Sequence, residues 1–274
     1  MRIPRWSLLG AVLAVGMVVS GTALALGPWP GLAKSVRSPA GDIRYSATVA
    51  AEATTVKAVS DGSVVASATF DGAYGIPAVT STGLGGGLSP DGRLLVLAEP
   101  PQFQSLRERS RFLVLSTRTL SLVATIVLRG EFGFDAISPD RRTLYLVQHT
   151  SNQDLVRYVV RAYDLLAGRL LPGAIVDKRA PDETMRGYPV ARATSARGAW
   201  VYTLYIRATS GGLPFVHALN AAGRSAFCID LPRWSDTNIW ETRLELTSNG
   251  RQLLVRAGSG TIVARIDTKT LLVR

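Results

Sequence analysis

Few side chains in this 274-residue sequence belong to the types that carry out acid–base or covalent chemistry. There are two histidines, His149 and His217, and a single cysteine, Cys228. His149 follows an apolar run and opens a polar segment, where an imidazole can serve as a general base. His217 and Cys228 lie inside apolar runs, which favours a structural role for the histidine and a buried filler role for the thiol, with a reactive thiol as the alternative. One cysteine excludes an internal disulfide.

No local motif supplies these histidines with a nucleophile or a metal. The chain contains no G-x-S-x-G, no H-E-x-x-H and no paired cysteines. The glycines between positions 83 and 87 precede a strand pattern rather than a helix, so they indicate a flexible loop and not a phosphate-binding loop. The sequence therefore assigns no catalytic residue, no metal site and no cofactor. A metal-dependent hydrolase would need several converging carboxylates, and the acids near suitable strand ends are Glu99, Glu131, Asp135 and Glu241.

The elements that would position any site come from a ten-residue phrase that recurs four times. It reads LSPDGRLLVL from Leu88, ISPDRRTLYL from Ile137, TSARGAWVYT from Thr194 and TSNGRQLLVR from Thr247. Its serines, at positions 89, 138, 195 and 248, are 49, 57 and 53 residues apart. Each phrase joins tight-turn residues to a short apolar strand. Repeats of this period with short strands predict a β-propeller.

A hairpin pattern follows each phrase, and one further hairpin precedes the first phrase. That early hairpin turns at Asp61-Gly62, a strong short-range hairpin signal. Each unit therefore reads strand, tight turn, strand, long connection, strand, tight turn, strand, which is one four-stranded antiparallel blade. The fifth unit needs inner strands from elsewhere, and Ile43–Ala50 can supply one of them. Five blades are predicted, with an incomplete ring, or one blade shared between the two termini, as open alternatives.

This pattern resembles the Tyr-Val-Thr-Asn type and the wider tryptophan-aspartate-like β-propeller superfamily. The matching pieces are residues 89–93, residues 138–142 and the hairpin at 263–270, and the resemblance covers about residues 43–274. It implies an all-β fold of four-stranded antiparallel blades. It implies no particular activity, because such propellers host many unrelated functions. The third and fourth turns depart from the pattern by lacking the Pro-Asp pair, and five blades is fewer than most relatives have.

The N-terminus reads as a targeting segment. Arg2 and Arg5 precede an uncharged stretch that is mostly apolar from Leu8 to Leu26, and residues 23–25 form a small-x-small cleavage site. Residues 1–26 are thus a cleaved signal peptide or an uncleaved hydrophobic helix that anchors the chain in a membrane. Both alternatives place the rest of the chain outside the cytoplasm, secreted or anchored. Residues 27–42, rich in Pro and Gly, predict a flexible linker to a propeller domain at 43–274.

The charge of the chain bears on its partners. The net charge is +11, and it is +9 without Arg2 and Arg5. This favours anionic partners such as cell-wall polymers, acidic lipid headgroups or acidic proteins. Export argues against nucleic acid as a partner. The basic residues are spread along the sequence, so the sequence alone indicates no basic cluster.

Topology predicts where a binding surface would lie. In an antiparallel four-stranded blade the first and third connections lie on one side, and the second connection and the link to the next blade lie on the other. The tight turns therefore share one face, and the long connections share the opposite face, where binding residues concentrate. Trp and Arg are frequent at interface hot spots. The candidate binding residues are His149, Arg179, Arg186, Trp234 and Trp240.

The sequence is consistent with three functions. The first is a non-catalytic exported propeller that binds a protein, glycan or peptide through the long connections. The second is a metal-dependent, lactonase-like hydrolase. The third is a sensory or structural ectodomain tethered by an uncleaved segment at residues 8–26. The missing catalytic motifs favour the first.

Overall fold

The computed structural model describes residues 30–181, 184–207, 212–234 and 238–274. The predicted targeting segment and the hydrophobic helix predicted within it lie outside the described residues. The described part of the chain consists of β-strands and one single-turn 3₁₀ helix, Ile239–Glu241. Its residues include no apolar helix long enough to cross a bilayer. The predicted all-β class is confirmed.

Five antiparallel sheets of three or more strands follow one another along the described chain. Sheet 1 and the segment before it contain β1 (Leu32–Ala33), β2 (Val36–Arg37), β3 (Arg44–Ala50), β4 (Ala53–Ser60) and β5 (Ser63–Asp71). After β6 (Ile76–Pro77), sheet 2 contains β7 (Leu94–Ala98), β8 (Arg109–Ser116) and β9 (Leu122–Arg129). Sheet 3 contains β10 (Glu131–Ile137), β11 (Thr143–His149), β12 (Arg157–Asp164), β13 (Arg169–Leu170) and β14 (Met185–Arg186). Sheet 4 contains β15 (Tyr188–Thr194), β16 (Trp200–Ile206), β17 (Phe215–Asn220) and β18 (Ser225–Asp230), and sheet 5 contains β19 (Arg243–Leu246), β20 (Gln252–Arg256) and β21 (Ile262–Asp267).

Each sheet is an up-and-down meander in which strands that are neighbours along the chain pair with each other, except that β13 and β14 both pair with β12. Sheet 1 has the order β2-β3-β4-β5 and sheet 4 the order β15-β16-β17-β18. In each of the two three-stranded sheets, an isolated bridge stands in the place of a fourth strand. Leu88 pairs with Leu95 at the inner edge of sheet 2, and Ile266 pairs with Val273 at the outer edge of sheet 5. The predicted strand, turn and connection order of the repeat unit is therefore confirmed.

Among the residues that the structure describes, no strand of sheet 1 pairs with a strand of sheet 5. β3 pairs with β4 along its whole length, from Arg44 opposite Val59 to Ala50 opposite Ala53. The outer edge of sheet 5 is covered by Val273 of the same unit. The alternative of a shared blade is therefore wrong, since both sheets complete themselves locally. β1 and β2 lie within residues 27–42, which the composition predicts as a linker, so backbone pairing begins before residue 43.

Three of the four turn phrases share one side-chain hydrogen-bond pattern. The hydroxyl of Ser89 donates to Asp91 at 2.7 Å and accepts the N–H of Leu94 at 2.9 Å. Ser138 and Thr247 make the same two bonds in their own turns. In the fourth phrase the equivalent hydroxyl thus belongs to Thr247, one residue before the serine aligned from the sequence. Such local bonds explain why Ser, Thr and Asx residues recur in these turns.

The predicted hairpin turns are also confirmed. Asp61 and Gly62 both adopt positive φ, 48° and 78°, as a two-residue turn of type I′ requires. In the hairpins of sheets 3 to 5 an Asx side chain accepts backbone N–H groups within its own turn. The three acceptors are Asp164, Asn220 and Asp267.

The core consists of four apolar clusters, each shared by two consecutive sheets. Sheets 2, 3 and 4 each contribute one face to each of two clusters, so their strands are apolar on both sides. Within the described residues, no cluster combines sheet 1 with sheet 5. Examples of residues that two consecutive sheets contribute to one cluster, from sheets 1 and 2 onwards, are Tyr45 and Leu115, Phe112 and Phe134, Tyr158 and Phe215, and Leu204 and Val255.

Much of the long connection between β5 and β7 is buried, and the buried stretch is 74–80. Tyr74, Ile76 and Val79 are among its apolar residues. The N–H of Ser81 donates to the carbonyl of Pro189 at 2.7 Å, so the connection reaches the inner strand of sheet 4. The apolar part of this connection is therefore buried between the sheets instead of facing water, whereas residues 82–84 are exposed.

Tight turns of sheets 2, 3 and 4 meet on one face of the molecule. Arg141 forms an ion pair with Asp91 of the neighbouring unit. Gly198, at φ 69°, lies against Pro90, and a Cβ atom at position 198 would be 2.1 Å from the Pro90 Cγ atom. Sheets 2 and 4 therefore approach each other closely although sheet 3 lies between them in the sequence.

Candidate functional site

A cavity lies between the inner strands of sheets 2, 3 and 4, at the level of the long connections. Its volume is about 50 Å³, which is enough space for a few water molecules. A second cavity lies towards the tight turns and shares Val79, Phe134, Asp135 and Arg192 with the first, so these side chains form the wall between the two. The ionisable residues that line the first cavity are Glu99, Arg107, Glu131, Asp135, His149, Tyr158, Arg192 and Tyr205.

Glu131 is the most deeply buried of these carboxylates. It opens β10 directly after Gly130, whose φ of 107° lets the chain pass from sheet 2 to sheet 3 in one residue. Arg107 binds it in a bidentate manner, with Nε 2.8 Å from Oε2 and Nη2 2.7 Å from Oε1. The backbone N–H of Arg107 donates to the same carboxylate at 3.1 Å. The charge of Glu131, whose side chain is 1% exposed, is therefore neutralised within the protein.

Asp135 and Arg192 form a second buried ion pair, which joins β10 to β15. The Arg192 Nη1 also donates to the Asp135 carbonyl at 2.6 Å. Each residue stands three positions before the turn serine of its own unit, Ser138 or Ser195. Equivalent positions of consecutive inner strands are thus occupied by opposite charges. Sequence reasoning missed Arg192, and this shared place in the repeat is the signal that would have found it.

Both histidines are buried and neutral at pH 7. Burial lowers the pKa of His149 to about 4, and the carbonyl of Leu155, 3.1 Å from Nδ1, opposes only part of that shift. Burial likewise lowers the pKa of His217 to about 4. His217 lies in β17 with its ring edge-on to Tyr205, at 6.5 Å between centroids. A general base works best with a pKa near the working pH, so neither imidazole has the protonation behaviour of an efficient one.

The carboxylates that could have formed a metal site are held by hydrogen-bonding partners. Glu131 and Asp135 are each bound by an arginine, and Glu99 accepts a bond of 3.1 Å from Arg111. Across residues 30–181, 184–207, 212–234 and 238–274, no three His, Cys, Asp or Glu side chains come together as a metal-binding group would require. Glu241, on the 3₁₀ helix, accepts a hydrogen bond of 2.7 Å from the side chain of Asn238, the residue just before the helix.

Arg179 lies at the outer edge of sheet 4 and is not among the residues that line the cavity. Its Nη2 is 2.6 Å from Asp177 Oδ2 and 2.9 Å from the carbonyl of Cys228, and its guanidinium lies 5.2 Å from the Phe227 ring centroid. Burial acts to raise the pKa of Asp177, but the bonds from Arg179 and from the N–H of Cys228 outweigh it and lower that pKa to about 2. The pair fastens the chain before β14 to the outer strand β18.

Arg186 and Trp240 lie on the long-connection face. Arg186, in β14, is exposed and pairs with Asp154 from the connection between β11 and β12. Trp240, on the 3₁₀ helix, is 39% exposed and meets Tyr188 edge to face at 6.0 Å. Tyr188 is two residues from Arg186, so these side chains share one region of the face. Trp234 packs against the cluster between sheets 4 and 5.

The structure thus separates the five predicted binding residues. His149 lines the cavity, Arg186 and Trp240 belong to one surface region, and Arg179 and Trp234 support the edges of sheets 4 and 5.

No protein-family model matches the sequence, and no curated protein matches it. Solved structures match at low identity. Hydrazine synthase from Kuenenia stuttgartiensis is 14% identical, with 93% of this chain and 81% of that chain covered and a TM-score of 0.46. The β-propeller domain of Cps50 (Swd1) from Myceliophteria thermophila is 16% identical over 84% of this chain and 64% of that one, with a TM-score of 0.47. TolB from Acinetobacter baumannii is 14% identical, with 89% of this chain and 56% of that chain covered and a TM-score of 0.43.

The fold is assigned from the arrangement of the sheets in this chain. Antiparallel meanders follow one another, pack face to face in chain order and place their inner strands around shared central cavities. The described part of the chain therefore has the all-β sheet architecture that is typical of propellers.

Proposed function

We propose that this protein is a non-catalytic, exported β-propeller that binds a protein, peptide or glycan through its long-connection face. The observation that best supports a binding role is the state of the ionisable groups at the cavity. Glu131 and Asp135 are neutralised by arginines, and His149 is neutral, with its pKa lowered to about 4 by burial. These groups stabilise the inner strands and have little capacity left for proton transfer.

We assign one blade to each of the five sheets. The close approach of Gly198 to Pro90 supports a narrow centre, as a ring of few blades would have. The buried residues 74–80 occupy part of that centre, and the next residue, Ser81, bonds to sheet 4. A centre that is packed in this way leaves the surface, rather than a deep channel, for a partner.

We place the partner on the region of Arg186, Tyr188 and Trp240. Trp240 keeps 39% of its surface exposed, although a tryptophan gains most from burial. Trp, Tyr and Arg side chains grouped at the surface of a rigid scaffold are typical of interface hot spots; here Trp240 and Arg186 are exposed and Tyr188 is half-buried. Arg179 and Trp234, which the sequence also suggested, would act indirectly by holding the outer edge of sheet 4 and the interface with sheet 5.

The experiment is a capture of partners from the cell envelope with wild-type protein and with a Trp240→Ala, Arg186→Ala double variant. The matched control is Val127→Ala, Arg129→Ala, which removes an apolar side chain and an arginine, both exposed, from the outer strand β9 of sheet 2. We expect the first variant to bind the captured partner roughly 30-fold more weakly, as loss of a hot spot of about 2 kcal/mol does. Equal retention by both variants would show that the binding site lies elsewhere.

Export is a separate part of the proposal. Its support is the basic, then apolar, N-terminal sequence with a small-x-small site at residues 23–25. N-terminal sequencing of the native protein tests it, since a start at Leu26 means a cleaved signal and excludes the tethered ectodomain. An intact N-terminus in the membrane fraction would instead support the tether, and a soluble cytoplasmic protein would refute export.

A further inference from the structure

The tight-turn face of the molecule is basic, although its arginines are scattered along the sequence. Every tight turn of sheets 2 to 5 carries or adjoins an exposed basic side chain. In the first turns of the repeat units these are Arg93, Arg142, Arg197 and Arg251, and in the hairpin turns they are Arg118, Arg169, Arg224 and Lys269.

Hydrogen bonds hold these turns together as one face. The Thr117 hydroxyl donates to the Gly92 carbonyl at 2.7 Å, which joins the hairpin turn of sheet 2 to its first turn. Thr268 makes the equivalent bond, also of 2.7 Å, to Gly250 in sheet 5. Between sheets, the ion pair of Arg141 with Asp91 and the contact of Gly198 with Pro90 continue the face.

Acidic side chains on this face do not balance the basic ones. With Arg141 included, nine basic residues stand against four acids in the turns of sheets 2 to 5. The four acids all use Oδ1 to accept N–H groups of their own turns, and they are Asp91, Asp140, Asp164 and Asp267.

Several arginines of the opposite face pair with carboxylates, and these are Arg107, Arg111, Arg179 and Arg186. On the tight-turn face, Arg93 and Arg141 share a single carboxylate, that of Asp91. In the described part of the chain, no ion pair is formed by Arg118, Arg169 or Arg197 on the same face. The tight-turn side thus carries an excess of positive charge.

Exposed apolar side chains occur beside the same turns. Of the twelve large apolar residues exposed in the described chain, four lie in or directly after a hairpin turn of sheets 2 to 5. Leu166, at the tip of the sheet 3 hairpin, is 84% exposed and stands three residues before Arg169. The other three are Leu122, Val123 and Leu272.

From this combination we infer that the tight-turn face docks on a membrane surface that contains anionic lipids. Basic side chains near such a surface each strengthen binding about fivefold, which corresponds to ~1 kcal/mol. Apolar side chains among them gain by entering the boundary between headgroups and acyl chains. A soluble polyanion would use the arginines but would not explain exposed leucine at a turn tip. Docked in this way, the protein presents Arg186 and Trp240 away from the membrane.

The first test measures binding of the full-length chain to vesicles of phosphatidylcholine alone and of phosphatidylcholine with phosphatidylglycerol. The variant Arg118→Gln, Arg169→Gln, Arg197→Gln is compared with the control Arg109→Gln, Arg129→Gln, Arg243→Gln, which removes three exposed arginines from the opposite face. Any contribution of the N-terminal apolar segment is the same in both. We expect the tight-turn variant to lose about 100-fold in affinity for the anionic vesicles, with the control close to wild type. Equal affinities of the two variants overturn the inference.

The second test reports insertion directly. An environment-sensitive fluorophore is attached at Leu166→Cys, and separately at Leu213→Cys on the long-connection face, with Cys228→Ser in both proteins. Anionic vesicles are expected to shift the emission of the Leu166 probe to the blue and to leave the Leu213 probe unchanged. If dextran sulfate competes for binding and the Leu166 probe does not shift on vesicles, the face binds a soluble polyanion and the membrane assignment is wrong.

Discussion

Asp135 and Arg192 form an ion pair across the interface of sheets 3 and 4, with side chains only 4% and 9% exposed. They also form part of the wall between the two central cavities. Removing two charges from water costs several kcal/mol per ion, and their mutual attraction compensates only in good geometry. The pair therefore serves mainly to hold neighbouring inner strands in one alignment, and this requirement makes it sensitive to loss of either partner.

We expect Arg192→Met to lower the free energy of unfolding by about 3–5 kcal/mol, because Asp135 would stay buried without its partner. The double variant Asp135→Leu, Arg192→Met should lose much less, since no uncompensated charge remains. Chemical denaturation of both variants and of Asp135→Leu alone measures the difference. If the losses in the two single variants added up to the loss in the double variant, the pair would have no energetic coupling.

Stability is expected to fall on acidification between pH 6.5 and pH 4. The pKa values of His149 and His217 are lowered by burial to about 4, below the 6.5 of an unfolded chain. Below pH 6.5 the unfolded chain therefore binds protons that the folded chain does not, and the stability present above pH 6.5 is lost as pH falls towards 4. Each group contributes up to about 3 kcal/mol. The free energy of unfolding measured across this range should change less steeply in His217→Gln than in wild type.

The close approach of sheets 2 and 4 can be tested at two glycines with the same backbone conformation. Gly198 and Gly250 have φ of 69° and 66°, so alanine strains both turns similarly. A Cβ atom at 198 would also meet Pro90 at 2.1 Å, whereas nothing lies within 4 Å of one at 250. We expect Gly250→Ala to cost about 1 kcal/mol and Gly198→Ala clearly more. Equal melting temperatures for the two variants would contradict the contact.

Divalent metal ions provide a test of the hydrolase alternative. Because Glu131 and Asp135 are bound by arginines, we expect Ca²⁺ and Zn²⁺ to leave the melting temperature unchanged. A ligand that binds only the folded state raises it in a concentration-dependent way. A saturable rise with either ion, absent in Glu131→Gln, would reveal a metal site at the cavity.

Local features were predicted well from the sequence. The turn at Asp61-Gly62, the Asx-stabilised hairpins and the four-strand order of the unit depend on contacts within a few residues, so residue type is sufficient to indicate them. The alignment of the fourth phrase was one residue off, because a serine follows Thr247 and both side chains carry a hydroxyl. Only the hydrogen-bond pattern distinguishes the two.

Non-local features were predicted poorly. Arg179 and Arg186 lie seven residues apart, yet one fastens the outer edge of sheet 4 and the other faces solvent beside Asp154. No periodicity in the sequence indicates that the apolar segment around Ile76 turns inward and that the chain reaches sheet 4 directly after it. Which charges meet depends on which strands become neighbours, and residue type carries no such information.

The sequence by itself determined the repeat, its turns and the all-β class, because short-range hydrogen bonds and apolar runs are properties of neighbouring residues. Tertiary structure alone decided which charges are neutralised and which are displayed. Stacking the units brought Asp135 to Arg192 and Glu131 to Arg107, and it gathered on one face arginines that are separated by about one repeat along the chain. The physical reason is that electrostatic interactions depend on distance in space and on burial, and both are set only when the sheets pack.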